Sequence, residues 1–231
     1  MKLSLNEIEV TARKASLGAG LPLGLAEEAG AAAAWLAAAG FPIAPLLAEA
    51  LEFGHQDAVQ TERSGSILRF RGAGPACSAL GILPSACDLV IAAAAMGERV
   101  TAEAVIDVPA WALAQAAIAA AGSGVALQVE TATQRALLQG ESLTLSGAIE
   151  PFVALRSAPV RIRVPAAEAG RARDHMAAAE LRRNRSRALQ CGVCVEDAPW
   201  QRVQSLAART LVPATTQSRE HGAGAGLIDT D

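Results

Sequence analysis

The residues best equipped for chemistry lie together at the end of the sequence, between Val212 and Asp231. Ser218, Arg219, Glu220 and His221 run directly into Gly222, Gly224 and Gly226, which alternate with Ala223 and Ala225. Glycine permits positive φ and close backbone approach. Successive N–H groups in such a loop can form a nest for an anion. Arg219 would add a bidentate fork for a carboxylate or phosphate. His221 is the acid/base candidate, because an imidazole near its ordinary pKa suits proton transfer. Arg209 and Ser218 join Arg219 and the three glycines as the candidate ligand-binding set. A glycine-rich terminus is also what an ordinary frayed chain end looks like. The spacing is not the dinucleotide fingerprint, which requires G-x-G-x-x-G between a strand and a helix.

Glu27 and Glu28 are the other catalytic candidates. They fall in the first turns of a helix expected over 23–39, where the helix dipole alone already favours carboxylates. The preceding Gly18-Ala-Gly-Leu-Pro-Leu-Gly24 loop would put one of them at an open edge, as a general base or a ligand contact. Arg182, Arg183, Arg185 and Arg187 follow Arg171 and Arg173 along a second expected helix. Such a run can bind phosphate, but without interleaved aromatics it reads more readily as a solvated face.

Other chemistries find little support. His55, His175 and His221 have no Cys or carboxylate beside them at ligand spacing, so no metal site is expected. No cofactor is expected, and neither a G-x-S-x-G elbow nor an S-x-x-K motif is present. Cys191-Gly-Val-Cys194 has redox or metal spacing, but Cys77 and Cys87 lie ten apart and supply no second close pair. Reduced, mostly buried thiols are the expectation.

These groups need a scaffold, and the composition bounds it. The chain has 231 residues, of which 52% are hydrophobic, enough for a substantial core. Aromatics are only 3% and tyrosine is absent, so that core must be built from alanine, leucine, isoleucine and valine. A formal net charge of −3 argues against a nucleic-acid partner. No apolar run is long enough to span a bilayer, and the first residues carry no apolar signal region. The expected setting is the cytoplasm of a bacterium.

Ser4 and Glu7 form a capping box that opens a helix with Leu5, Ile8, Ala12 and Ala15 on one face. Gly18 and Gly20 end it. Helices are expected over 23–39 and 43–53, followed by a polar loop over 54–65 and a strand over 66–71. The apolar run Ser85 to Met96 reads as a buried strand, turning at Gly97-Glu98 into a second strand over 99–108. Pro109 suits the first turn of a helix running to Ala121 and closed by Gly122. Strands are expected over 125–131, 142–146, 152–156 and 160–164, with 133–139 ambiguous. Pro165 opens a helix to about Gln190, and a last helix covers 199–210. Strands in the middle and helices at both ends give an α+β class: a helical N-terminal segment, a central mainly antiparallel sheet and a helical C-terminal segment. A single domain over 1–231 is expected, with a weak boundary near 55–65 between a helical cap (1–54) and an α/β body (55–231).

Two stretches resemble a known family. Leu5-Asn-Glu-Ile-Glu-Val-Thr-Ala-Arg-Lys-Ala15 with Gly18-Ala-Gly-Leu-Pro and Gly24-Leu-Ala-Glu-Glu-Ala29 is similar to the opening of the bacterial domain-of-unknown-function family 3726. Val212-Pro-Ala-Thr, Ser218-Arg219 and Gly222-Ala-Gly-Ala-Gly-Leu-Ile-Asp229 are similar to its close. Leu23 stands where the family has Trp, and Ile228-Asp-Thr-Asp231 where it ends Thr-Asp-Asn-Asp. The resemblance implies no activity. The residues themselves point to an uncharacterised metabolic enzyme that binds a small anionic molecule. The alternative is a non-catalytic subunit or ligand-binding module whose alanine-rich faces pack against a partner or a second copy.

Overall fold

A computed structural model describes residues 1–53, 59–140, 142–146, 150–166 and 178–211. The short strand β1 (Lys2–Leu3) leads into α1 (Leu5–Gly18). The capping box forms as the sequence requires: the Glu7 N–H donates to Ser4 Oγ at 3.1 Å, and the Ser4 N–H donates to the Glu7 carboxylate at 2.7 Å. The Ser4 N–H and the Ser4 hydroxyl, which donates to the same carboxylate at 2.8 Å, hold the Glu7 carboxyl below its usual range. Then come α2 (Leu23–Ala39) and α3 (Ile43–Phe53), with Gly40 left-handed at the end of α2. Alanines and Gly30 let α1 and α2 approach closely, since a Cβ on Gly30 would sit 2.9 Å from the Glu9 carbonyl oxygen.

The polar stretch expected as a loop holds β2 (Gln60–Ser64), which turns at Gly65 into β3 (Ile67–Arg71). Every side chain of β2 is exposed, so no alternation of burial marks it in the sequence. The expected strand and hairpin after it are not formed. Residues Ala79–Ala95 are a helix, α4, and only β4 (Thr101–Ile106) is a strand. Of the buried residues of α4, Ala79, Ile82, Leu83, Ala86, Cys87, Val90 and Ala93 repeat at three and four, and Leu80 is buried beside them. A short apolar run cannot separate buried strand from buried helix, but seventeen residues of that period can. With α4 between them, β3 and β4 pair in parallel rather than as a hairpin.

The chain continues through α5 (Trp111–Ser123), closed by left-handed Gly124 rather than by Gly122, then β5 (Leu127–Glu130), β6 (Arg135–Gln139) and β7 (Ser142–Ser146). Residues Glu150–Ala154 form the short helix α6 where a strand was expected, and β8 (Ala158–Arg163) follows. The last elements are α7 (Ala178–Cys191), β9 (Val193–Cys194) and α8 (Asp197–Ala208). The main sheet has the order β2-β3-β4-β8-β5-β6-β7, antiparallel except for β3 and β4, and β1 pairs with β9. This is the α+β arrangement of helical ends and a mainly antiparallel centre.

In β8, Ala158, Val160 and Ile162 point inward and Pro159 and Arg161 outward. The sheet packs on α4 through β4 and β8 and on α5 through β5 and β6, and α2 packs on both of those helices. The buried residues form one continuous cluster from Ile8 to Val203, with Trp111 and Trp200 its largest fully buried side chains. The Trp111 indole N–H donates to the Leu46 carbonyl at 3.3 Å, tying α5 to α3. No helix among the described residues is long and apolar enough to cross a membrane.

Candidate functional site

Trp35, in the second half of α2, stands in an otherwise alanine-rich helix, and its ring lies 6.4 Å from that of Phe41. Around it, α1, α2, α5 and α7 and the tip of the β6–β7 hairpin enclose a cleft of about 420 Å³. Its floor is apolar: Ala34, Trp35 and Ala38 from α2, with Ala117, Ile118 and Ala121 from α5. Three ionisable residues join this floor, Glu9 of α1 and Arg182 and Arg185 of α7.

The local sequence explains the arrangement. Alanine leaves room between helices, and the one large side chain then forms a wall. On α7, Leu181 and Ala188 are buried seven residues apart and fix the inner face. Arg182 and Arg185 are three apart and flank that face, so both reach the cleft from neighbouring turns. Asn184 between them pins the helix, its Nδ2 donating to the Ala39 carbonyl at 3.1 Å. An apolar cavity with two guanidinium groups suits an organic anion: the arginines bind the charged end and the floor covers the body.

The sequence-based candidates fall in different places. Glu27 and Glu28 are exposed on α2. Ala31, Ala34 or Trp35, and Ala38 line the cleft at helical spacing, and Glu27 continues that row one turn toward the start of the helix. Glu28 belongs to another face: its carbonyl accepts from Gln115 Nε2 at 3.5 Å, and its charge bears on Cys87 of α4. Arg209 lies beyond α8, and its Nη1 donates to the Gly18 carbonyl at 3.5 Å. The end of α8 therefore sits against the α1–α2 turn. Ser218, Arg219, His221, Gly222, Gly224 and Gly226 lie outside the described residues, as do His55 and His175. Among the described residues, no group of three or more His, Cys, Asp or Glu is placed to hold a metal ion.

The sequence reading did not single out Trp35 and took the arginine run as a solvated face; Arg182 and Arg185 are exposed and also line the cleft. Their signal was a single large aromatic in a small-residue helix, and an arginine pair that borders the apolar stripe of its own helix. The thiols also differ from expectation: Cys77 and Cys87 are buried, whereas Cys191 and Cys194 are exposed. Burial pushes the Cys87 thiol up to about 12, with the charges of Asp88 and Glu28 adding to the effect.

A second perturbed group, unmarked in the sequence, is Asp107. It follows β4 at the carboxyl end of the parallel pair and is only 4% exposed. Its Oδ1 accepts the Ala79 N–H at 2.7 Å and so caps α4, while Oδ2 and the neighbouring Ser78 Oγ have no partner among the described residues. Burial pushes its carboxyl up to about 6, against the backbone N–H groups and the Arg156 charge that favour the anion. The carbonyl of Asp107 accepts the N–H of Ser157, a non-glycine residue at φ 47°.

Residues 3–79 match the family model described as a protein of unknown function, DUF3726, which is the resemblance carried by the opening of the sequence. No curated protein matches the sequence at a significant level. Solved structures share the fold. A dehydrogenase from Sinorhizobium meliloti matches at a TM-score of 0.60 and 13% identity, over 90% of this chain and 99% of the other. A putative malate/lactate dehydrogenase from E. coli matches at a TM-score of 0.58 and 9% identity, over 96% and 98% of the two chains. Sulfolactate dehydrogenase from Methanocaldococcus jannaschii matches at a TM-score of 0.57 and 8% identity, over 89% and 96%. At these identities the likeness is one of fold.

Proposed function

We propose that this chain is a metabolic enzyme that binds a small organic anion, a carboxylate before a phosphate, in the cleft beside Trp35. The observation that carries this reading is the cleft itself, an apolar floor with Arg182 and Arg185 at one side. The names of the fold relatives support the carboxylate, since malate, lactate and sulfolactate all carry one. In this reading the arginines take the carboxylate, Trp35 and Ile118 cover the carbon chain, and Glu9, which lines the cleft, is the proton-transfer group, with Glu27 one helical turn beyond the lining row of α2.

The test is thermal stability against malate, lactate and inorganic phosphate, with Arg182→Ala as control. A ligand bound only by the native state adds about 2.7 kcal/mol at a hundredfold excess over its Kd. A shift with the carboxylates that disappears in Arg182→Ala supports the reading, and a shift with phosphate alone changes the anion class. A shift of equal size in the variant moves the site elsewhere. The second reading, a non-catalytic subunit, is favoured by the exposed Leu23 of α2 and Leu89 of α4. A monomeric mass by light scattering counts against self-association.

A further inference from the structure

We propose that Cys191 and Cys194 form a thiol–disulfide exchange site for an anionic, low-molecular-weight disulfide of the glutathione class. Both thiols are exposed, and both line a second cleft, of about 340 Å³, together with Lys2, Asn184 and Arg187. Lys2 is the direct cross-strand partner of Cys194 in the β1–β9 pair, so the two side chains share a face. The turn between the cysteines is fixed by Gly192. Its φ is +70°, and a Cβ there would lie 2.8 Å from the Leu3 carbonyl oxygen. Arg187 is held at the cleft by its Nη2 donating to Asn184 Oδ1 at 3.2 Å. Two cations beside two thiols suit a carboxylate-bearing disulfide. They suit a metal cation poorly, and among the described residues no third ligand joins the pair. The other two thiols are sealed in the core, so reactivity divides sharply between the pairs.

The chemistry balances without a further reactant. The Cys194 thiolate attacks one sulfur of the disulfide. The small-molecule S–S bond breaks, a mixed disulfide forms, and the departing thiolate takes up the proton that Cys194 released. The Cys191 thiolate then attacks the Cys194 sulfur, expelling the second small thiol in the same way. Two cysteine thiols are oxidised to one disulfide, and one disulfide is reduced to two thiols.

The experiment incubates the full chain with glutathione disulfide and follows intact mass and the peptides carrying each cysteine. The wild type should lose two hydrogens at Cys191–Cys194. Cys191→Ser should accumulate one glutathione on Cys194, and Cys194→Ser should do neither. Lys2→Glu should slow adduct formation in the Cys191→Ser background about fivefold at low salt, the size of one exposed charge pair. High salt should erase that difference. Arg187→Glu is the substitute if Lys2→Glu disturbs the β1–β9 pair. Modification confined to Cys77 or Cys87, an adduct that survives Cys194→Ser, or a rate indifferent to both charge reversals would overturn the proposal.

Discussion

Replacing Asp107 by asparagine should remove a pH dependence of folding stability that the wild-type chain carries between about pH 4 and pH 6. The cause is burial. The carboxyl moves from an ordinary 3.8 to about 6, because desolvation outweighs the N–H groups and Arg156 that favour the charged form. Between those two values the native state binds more protons at this site than the unfolded chain does. Stability from Asp107 is therefore full below pH 3.8, falls as pH rises to about 6, and stays low above it. At about 1.4 kcal/mol per pH unit the loss is about 3 kcal/mol. Asparagine keeps an oxygen for the Ala79 N–H and carries no charge at any pH. Other carboxylates titrate in the same range, so the informative quantity is the variant's stability minus that of the wild type. Urea unfolding at about pH 4 and pH 7 measures it. The difference should move in the variant's favour by about 3 kcal/mol across that interval. A difference that is flat with pH would refute burial as the dominant influence on Asp107.

Two further substitutions probe the scaffold. Gly18→Ala places a Cβ 1.9 Å from the Leu206 carbonyl oxygen, so α1 and α8 must separate. It should cost about 2 kcal/mol or more, an overpacking penalty, and should raise hydrogen exchange in α8 ahead of the sheet; unchanged exchange in α8 would contradict the contact. Ser157→Gly removes the penalty of a left-handed L-residue at φ 47°, about 1–2 kcal/mol, against a somewhat smaller entropic cost of glycine. The melting temperature should hold or rise slightly, and a clear fall would count against the strain.

The helical first quarter was legible because its signals are local. Ser4 and Glu7 mark the start of α1, glycines mark its end, Pro22 and Gly40 bracket the alanine-rich α2, and α3 has a clear apolar face. The α4 region was misread because Cys87-Asp-Leu-Val-Ile-Ala is apolar but for Asp88, too short a window to tell a strand from a helix. Its helical period appears only over the full length from Ala79 to Ala93. β2 was invisible because all its side chains face solvent, and its strand character comes from the β3 ladder. The candidate site was harder still. Trp35, Ile118 and Arg182 are joined by three helices packing around a gap, and no window of sequence contains that gap. Glu27 was singled out from its position near a helix start. Its relation to the cleft follows from the register of α2.

The central claim, that the cleft beside Trp35 holds an organic anion, has a direct optical test. Trp111 and Trp200 are fully buried, whereas Trp35 lines the cleft, so indole emission reports its occupancy. Titration with malate should give a saturable change in fluorescence that disappears in Trp35→Phe and is weakened at least about tenfold in Arg182→Ala, the scale of a charge-assisted contact. No saturable change at millimolar malate, lactate or phosphate, or a change that persists in Trp35→Phe, would contradict the account.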